Sequence, residues 1–240
     1  MNMEILRKGM IIPMTESEME KIQLELSDKI IDFDMFQIEN IKNVAGVDLA
    51  YWKNDNREFA VCCIVIVDID THEMIESKSV KGEITFPYIP GFLAFRELPL
   101  ILKTVELLEN KPDLYMFDGN GYLHPRHMGI ATHASFYLDK PCIGVAKKYF
   151  KVGNTDYILP DSKAGSYTDI TVNGEVYGRA LRTMDNVKPV FVSVGNFITL
   201  DTAVKIVMRF TDKESHIPVP TRIADAKTRA HRAKLLSQIG

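Results

Sequence analysis

Three carboxylates stand where a folded chain normally places apolar groups or turns. Asp48 interrupts the apolar run Val44-Ala45-Gly46-Val47-Asp48-Leu49-Ala50-Tyr51, where an ionised group costs several kcal/mol unless it is paired or metal-bound. Asp118 follows Leu114-Tyr115-Met116-Phe117 and precedes Gly119-Asn120-Gly121, the position at which open α/β sheets carry ligand-binding groups. A turn aspartate satisfying local backbone donors accounts for Asp118 alone equally well. Glu97 lies within Phe92-Leu93-Ala94-Phe95-Arg96-Glu97-Leu98, and its ordinary explanation is a solvated helix face paired with a nearby cation. Taken together, acids on a central strand, at a neighbouring strand end and on a flanking helix form the all-oxygen donor set of a hard divalent ion. Mg²⁺ fits, with Mn²⁺ able to substitute.

Zinc does not fit. His124, His127 and His133 have spacings of three and six residues and no cysteine beside them, so they do not share one helix face. His124, before Pro125-Arg126, is expected to begin a helix with its ring free to bond phosphate or orient a ligand, and the other two to be structural or surface groups. Lys147 follows the apolar run Cys142–Ala146 and can reach across a sheet end toward phosphate; a solvated strand terminus is the ordinary alternative. Asp225, flanked by Arg222, Lys227 and Arg229, reads as an acid compensating a helix dipole or as a further metal ligand. Pro87-Tyr88-Ile89-Pro90-Gly91 is a stiff turn with an aromatic tip. Such a tyrosine commonly packs down; exposed, it can wedge between base steps. Gly119, Gly121 and Gly129 allow close backbone approach but compose no P-loop or dinucleotide fingerprint.

Elements that hold these residues follow from patterning. Thr15-Glu16-Ser17-Glu18 is a capping box, and Met19, Ile22, Leu26 and Ile30 then share a helical face of about four turns. Val44–Tyr51, Phe59–Ile69 and Met74–Phe86 read as three antiparallel strands joined by tight turns. A helix is expected over Phe92–Asn110, a strand at Leu114–Phe117, a helix over His127–Leu138 and a buried strand at Cys142–Ala146, together a β-α-β unit. Asn173-Gly174 is the strongest hairpin signal, Val190–Val194 is one more strand, and two helices close the chain, one near Thr199 and one after Pro218 and Pro220 with Thr221 as its cap. The pattern gives an α/β class with a mixed sheet flanked by helices, in a single domain over residues 1–240 onto which the helical segment 1–40 packs.

Composition bounds the possibilities. Hydrophobic residues make up 46% and charged residues 25% of 240, enough for a full core and unlike disordered or disulfide-scaffold chains. Net charge is −3, from 29 Lys/Arg against 32 Asp/Glu, so a polyanion site must be local. Residues 1–40 hold nine acids against four bases, whereas residues 213–240 hold six bases against two acids; the basic surface belongs to the second half. The longest apolar run, Phe59–Val67, which contains Ala60–Val67, has nine residues, far short of the roughly 20 needed to span a membrane. Met1–Met10 has no export signal, and three cysteines without a C-x-x-C fit a reducing compartment, so a cytoplasmic location is expected.

The longer strings Val44-Ala45-Gly46-Val47-Asp48, Pro87-Tyr88-Ile89-Pro90-Gly91-Phe92-Leu93-Ala94-Phe95-Arg96-Glu97 and Asp118-Gly119-Asn120-Gly121-Tyr122-Leu123-His124-Pro125-Arg126 resemble, in order and spacing, the endonuclease V family of deaminated-base repair nucleases. Gly129-Ile130-Ala131-Thr132-His133, Gly144-Val145-Ala146-Lys147 and Pro220-Thr221-Arg222-Ile223-Ala224-Asp225 continue the likeness over roughly residues 40–230. The resemblance implies a ribonuclease H-like fold and Mg²⁺-dependent hydrolysis of the second phosphodiester 3′ to deoxyinosine, leaving a 3′-hydroxyl and a 5′-phosphate. It further implies that Asp48, Glu97 and Asp118 are metal-binding catalytic acids, Lys147 a transition-state phosphate contact and His124 an added active-site or metal-shell group. Asp225 takes an auxiliary position whose identity varies in the family. Tyr88 with Pro87, Ile89 and Pro90 is the implied strand-separating wedge, and Gly91, Leu93, Gly129 and Ile130 line the implied pocket for a flipped hypoxanthine.

The expected partner is deoxyinosine-containing DNA, acted on by a monomer. Two other readings stay open: a ribonuclease for inosine-containing RNA, and a lesion-binding protein that hardly cuts. Clustered acids near phosphate argue against the second.

Overall fold

In the computed structural model, which describes residues 14–238, Asp55 and Asn56 take positive φ values of 48° and 63°. Two successive left-handed residues match the twist of an antiparallel ribbon, and they join β1 (Asn43–Asn54) to β2 (Arg57–Asp68). β3 (Met74–Glu83) pairs antiparallel on the far side of β2. β4 (Leu114–Phe117) and β5 (Cys142–Ala146) extend the sheet parallel to β1. β6 (Tyr167–Val172), β7 (Glu175–Leu181) and β8 (Val190–Val194) add an antiparallel wing, giving eight strands in the order β3-β2-β1-β4-β5-β8-β7-β6. The expected hairpin at Asn173-Gly174 is present, with both residues at positive φ. Met1–Met10, read for an export signal, lies outside the described residues. No helix among those described is long and apolar enough to cross a membrane.

Five α-helices are described: α1 (Glu16–Ser27), α2 (Leu93–Val105), α3 (Ile130–Leu138), α4 (Leu200–Arg209) and α5 (Val219–Leu236). On one face of the sheet, α4 and α5 bury Val204, Phe210, Val219 and Ala224 against Val44, Val65 and Val192. On the other, α2 and α3 bury Leu98, Ile101, Ile130 and Ala134 against Ala45, Ile64 and Phe117. Each large side chain so covered stabilises by about 2 kcal/mol. All three cysteines are buried and unbridged.

Four expectations about helices change. α2 ends at Val105 rather than Asn110, because the backbone N–H groups of Glu109 and Asn110 donate to the Glu76 carboxylate instead of prolonging the helix. α3 begins at Ile130 rather than His127, whose positive φ of 56° belongs to a loop. The cap of α5 is Pro218, not Thr221; Thr221 lies in the first turn and its hydroxyl donates to the Pro218 carbonyl at 3.2 Å. The capping box of α1 forms as expected. The helix ends at Ser27, however, and of the expected face only Met19 is fully buried, joined by Gln23 and packed on Phe86, Phe92 and Phe95, while Ile22, Leu26 and Ile30 are half-buried.

Candidate active site

Parallel pairing of Val47 with Phe117 places Asp48, midway along β1, beside Asp118, just beyond the end of β4. α2, packed above, brings Glu97 to the same place. The three acids line a cavity of about 240 Å³ with Val47, Leu49, Phe117 and Ile130. Each has an oxygen held by the protein. Asp48 Oδ2 accepts from Thr228 Oγ1 of α5 at 2.5 Å, Glu97 Oε1 from the Tyr51 hydroxyl at 2.5 Å, and Asp118 Oδ2 faces Lys147 Nζ at 2.6 Å. Lys147 also reaches Asp225 Oδ2 at 3.0 Å, and Arg229 closes on the same oxygen at 2.9 Å. Asp225 therefore faces the acid cluster from the second turn of α5, beyond the first turn where a dipole-compensating acid belongs.

Burial pushes Asp48 up to about 6, with Asp118 and Asp225 adding to the rise and Thr228 and Lys147 opposing it. Burial likewise pushes Glu97 up to about 7, against the Tyr51 hydrogen bond and Arg96, with Asp48 and Asp118 contributing. For Lys147, burial acts downward, but the bonds to Asp118 and Asp225 outweigh it and hold the ammonium above the ordinary lysine value. Carboxylates raised in this way carry negative charge that their surroundings only partly offset, which is the setting a hard divalent cation relieves. The donor chemistry fits such an ion, although no three of these groups among the described residues already converge at ligand spacing.

Beside this cavity, about 130 Å³ of space is enclosed by residues that include Tyr88, Gly91, Leu93, His124, Gly129, Ile130 and Phe150. All four residues expected in a base pocket meet here. Gly91 holds φ at +83°, and a Cβ at Gly129 would lie 2.3 Å from the Asn120 carbonyl oxygen, so the walls are backbone where a side chain would close them. Tyr88 is 68% exposed, which removes the packed-down alternative. Of the other loop residues, Pro87 and Pro90 are exposed and Ile89 anchors the turn against the cluster around Met19.

His124 departs from expectation. It lies in the 119–129 loop, is buried, and has both nitrogens occupied: Nε2 bonds the Gly91 carbonyl at 3.0 Å and Nδ1 accepts from the N–H groups of Arg126 and Met128 at 3.2 and 3.3 Å. Burial, with Arg126 nearby, pushes the ring down to about 4, keeping it neutral. The ring is thus a wall support, not a free phosphate ligand, because its loop folds back over it before α3 begins. His133 is buried edge-on to Phe95, with ring centroids 4.9 Å apart, and His127 stacks on Tyr122 at 3.9 Å; both are structural, as expected.

Patterning missed Tyr51, Thr228 and Gln23. Tyr51 alternates with Leu49 and Val47 on β1 and so shares their face, a signal already present in the strand. Gln23, four residues after Met19, marked the buried face of α1 by the same logic. Thr228 had no local signal, since only the docking of α5 brings it to Asp48.

A mixed sheet covered by helices on both faces, with one acid within β1 and another just beyond β4, is a ribonuclease H-like fold. Residues 24–226 match the sequence profile of the family Endonuclease V. The chain is 58% identical over 219 residues to Endonuclease V of Bacillus thuringiensis subsp. konkukian, covering 91% of this chain and 93% of that one. The crystal structure of Endonuclease V from Bacillus subtilis superposes with a TM-score of 0.91 at 47% identity, covering 95% of this chain and 96% of that one. Endonuclease V of Ciona intestinalis, solved with a 24mer DNA containing an inosine followed by a ribo-adenosine, superposes with a TM-score of 0.79 at 29% identity, covering 91% and 98%. This chain belongs to the Endonuclease V family.

Proposed function

We propose that the protein is a DNA repair endonuclease that binds deoxyinosine and hydrolyses the second phosphodiester 3′ to it, leaving a 3′-hydroxyl and a 5′-phosphate. The observation that carries this reading is adjacency: Ile130 lines both the acid cavity and the backbone-walled pocket. Leu93 of the pocket and Glu97 of the cavity are one turn apart on α2. A base held in the pocket thus keeps its strand against the acids. The inosine-containing DNA bound to the Ciona relative supports the substrate class.

Asp48, Glu97 and Asp118, with Asp225 as the fourth acid, would hold Mg²⁺, with Mn²⁺ able to replace it. Bound there, the ion supplies charge neutralisation at the scissile phosphate and a more acidic water. Glu97, beside the scissile phosphate, would help to position the attacking water. Thr228 and Tyr51 fix the carboxylate orientations. Lys147 moves from its acid partners to offset charge on the phosphate oxygens as it develops. Tyr88 fills the gap left by the flipped base, whose extraction is easiest at a mispair.

A denaturing-gel assay with end-labelled oligonucleotides carrying one deoxyinosine or one riboinosine, in Mg²⁺ and in EDTA, tests the proposal. A Mg²⁺-dependent nick one nucleotide beyond deoxyinosine is the expected result. Cutting confined to the RNA transfers the role to inosine-RNA turnover, and cutting of neither leaves a lesion-binding protein.

A further inference from the structure

The backbone-walled pocket has two sides that share no regular element. One is the 87–92 loop, which supplies Gly91; the other is the 119–129 loop, which supplies Asn120, Met128 and Gly129. His124 and Arg126 of the second loop bond the Gly91 carbonyl of the first, and α1 adds a further bridge that reaches both loops. Gln23 is fully buried. Its Nε2 donates to the Gly91 carbonyl at 2.9 Å and lies 3.4 Å from the Met128 carbonyl, one oxygen from each side. Its Oε1 accepts from Arg126 Nε at 2.5 Å. The Gly91 carbonyl also accepts from His124 Nε2 at 3.0 Å and from Arg126 Nη2 at 3.2 Å. Three donors from two segments therefore converge on an acceptor with two lone pairs, fixing its position from several directions. Arg126 is held in turn, with its guanidinium 4.5 Å from the Phe92 ring centroid and Glu20 of α1 at 3.6 Å.

We infer that Gln23 is a positioning residue that ties the two backbone walls together, sets the width of the pocket and thereby sets its preference for a flat, deaminated purine. This rests on the pocket reading proposed above. A buried amide bridging two carbonyls differs from simple packing: its loss removes a donor from the Gly91 and Met128 carbonyls and the acceptor of Arg126 Nε, while the apolar contact made by Met19 persists. α1 is accordingly part of the recognition apparatus, although it lies behind the pocket and touches neither the acids nor Tyr88 among the contacts described.

The test compares equilibrium binding of two duplexes in EDTA, one with a single deoxyinosine and one identical but undamaged, by fluorescence anisotropy on the full chain. Gln23→Met keeps length and bulk while removing both polar ends. Gln23→Glu keeps the acceptor for Arg126 but removes the donor toward Gly91 and Met128, so it guards against a Met variant that fails to fold. Both are expected to lower the inosine-over-undamaged affinity ratio about tenfold, with affinity for the undamaged duplex changed by less than about twofold. A role confined to stability moves the melting temperature and leaves that ratio alone. An unchanged ratio in a folded variant, or a parallel fall in both affinities, overturns the inference. Leu93→Ala, measured beside them, separates the two failures: if it also leaves the ratio unchanged, the pocket reading falls and the role of Gln23 with it; if it lowers the ratio while the Gln23 variants do not, only the role of Gln23 falls.

Discussion

The acid cavity and the pocket beside it are built on opposite plans. Strands β1 and β4 and helices α2 and α5 place the acids, so backbone hydrogen-bond ladders and core packing fix their separation. The pocket is made by two loops, and its walls are set by side chains that bond to backbone carbonyls. Asp118 and Asp225 face the Lys147 ammonium while Asp48 and Glu97 accept from hydroxyls, whereas the pocket is closed by a neutral histidine, a glutamine and glycines. Chemistry that depends on charge tolerates little displacement and sits on rigid elements. Recognition of a base by backbone requires bare peptide groups, which regular elements have already used, and so it falls to loops.

The largest effect that sharpens this contrast is expected from Asp48→Asn. It should lower single-turnover cleavage by about three orders of magnitude or more, while inosine-DNA binding in anisotropy titrations is kept or strengthened, since a buried negative charge leaves a phosphate site. Normal cleavage by this variant would break the assignment of the cavity. Tyr88→Ala acts on the other side: binding of the inosine duplex is expected to fall about tenfold or more from lost stacking, with cleavage of bound substrate much less affected. Equal binding by the parent and the variant removes the wedge. Thr228→Val keeps the shape but removes the donor to Asp48, and kcat should drop by up to about tenfold with KM nearly constant; a change confined to KM would place Thr228 with recognition instead.

The smallest effect is on stability. Burial holds His133 neutral, down to about 3, whereas in the unfolded chain the ring titrates near its ordinary 6.5. Below that value the unfolded state binds the additional proton. The stabilisation is therefore complete above about pH 6.5 and is lost as pH falls toward 3, by at most on the order of 1 kcal/mol per pH unit. His124 contributes with the same sign. Urea unfolding at pH 7 and pH 5 should show a smaller loss for His133→Leu than for the parent; equal losses would mean that His133 is not held neutral.

Patterning made the sheet legible because its signals are local. The runs at Leu114–Phe117, Cys142–Ala146 and Val190–Val194 are strands with those bounds, and Asn173-Gly174 is a turn because left-handed φ selects those residues. Asp48 was legible as an acid in an apolar run. The 119–129 loop was not, because its path is set by His124 and Arg126 bonding to Gly91, more than 30 positions away in the chain. The order of strands beyond β5 was equally hidden: β8 inserts between β5 and β7, and no local pattern specifies which edges pair. Asp225 looked like a dipole-compensating acid because spacing along one helix cannot show that its face meets the middle of β1 and the end of β4.

Gly46 gives the last helix its seat. A Cβ there would stand 2.1 Å from the Pro220 carbonyl oxygen, so α5 starts in direct backbone contact with β1, two residues before Asp48. Because α5 is both the last described element and the source of Thr228 and Asp225, Asp48 and Lys147 acquire these partners only when α5 docks. A chain emerging from the ribosome in sequence order therefore holds Asp48, Glu97, Asp118 and the pocket loops before Thr228 and Asp225, so among the described elements the candidate site is completed last.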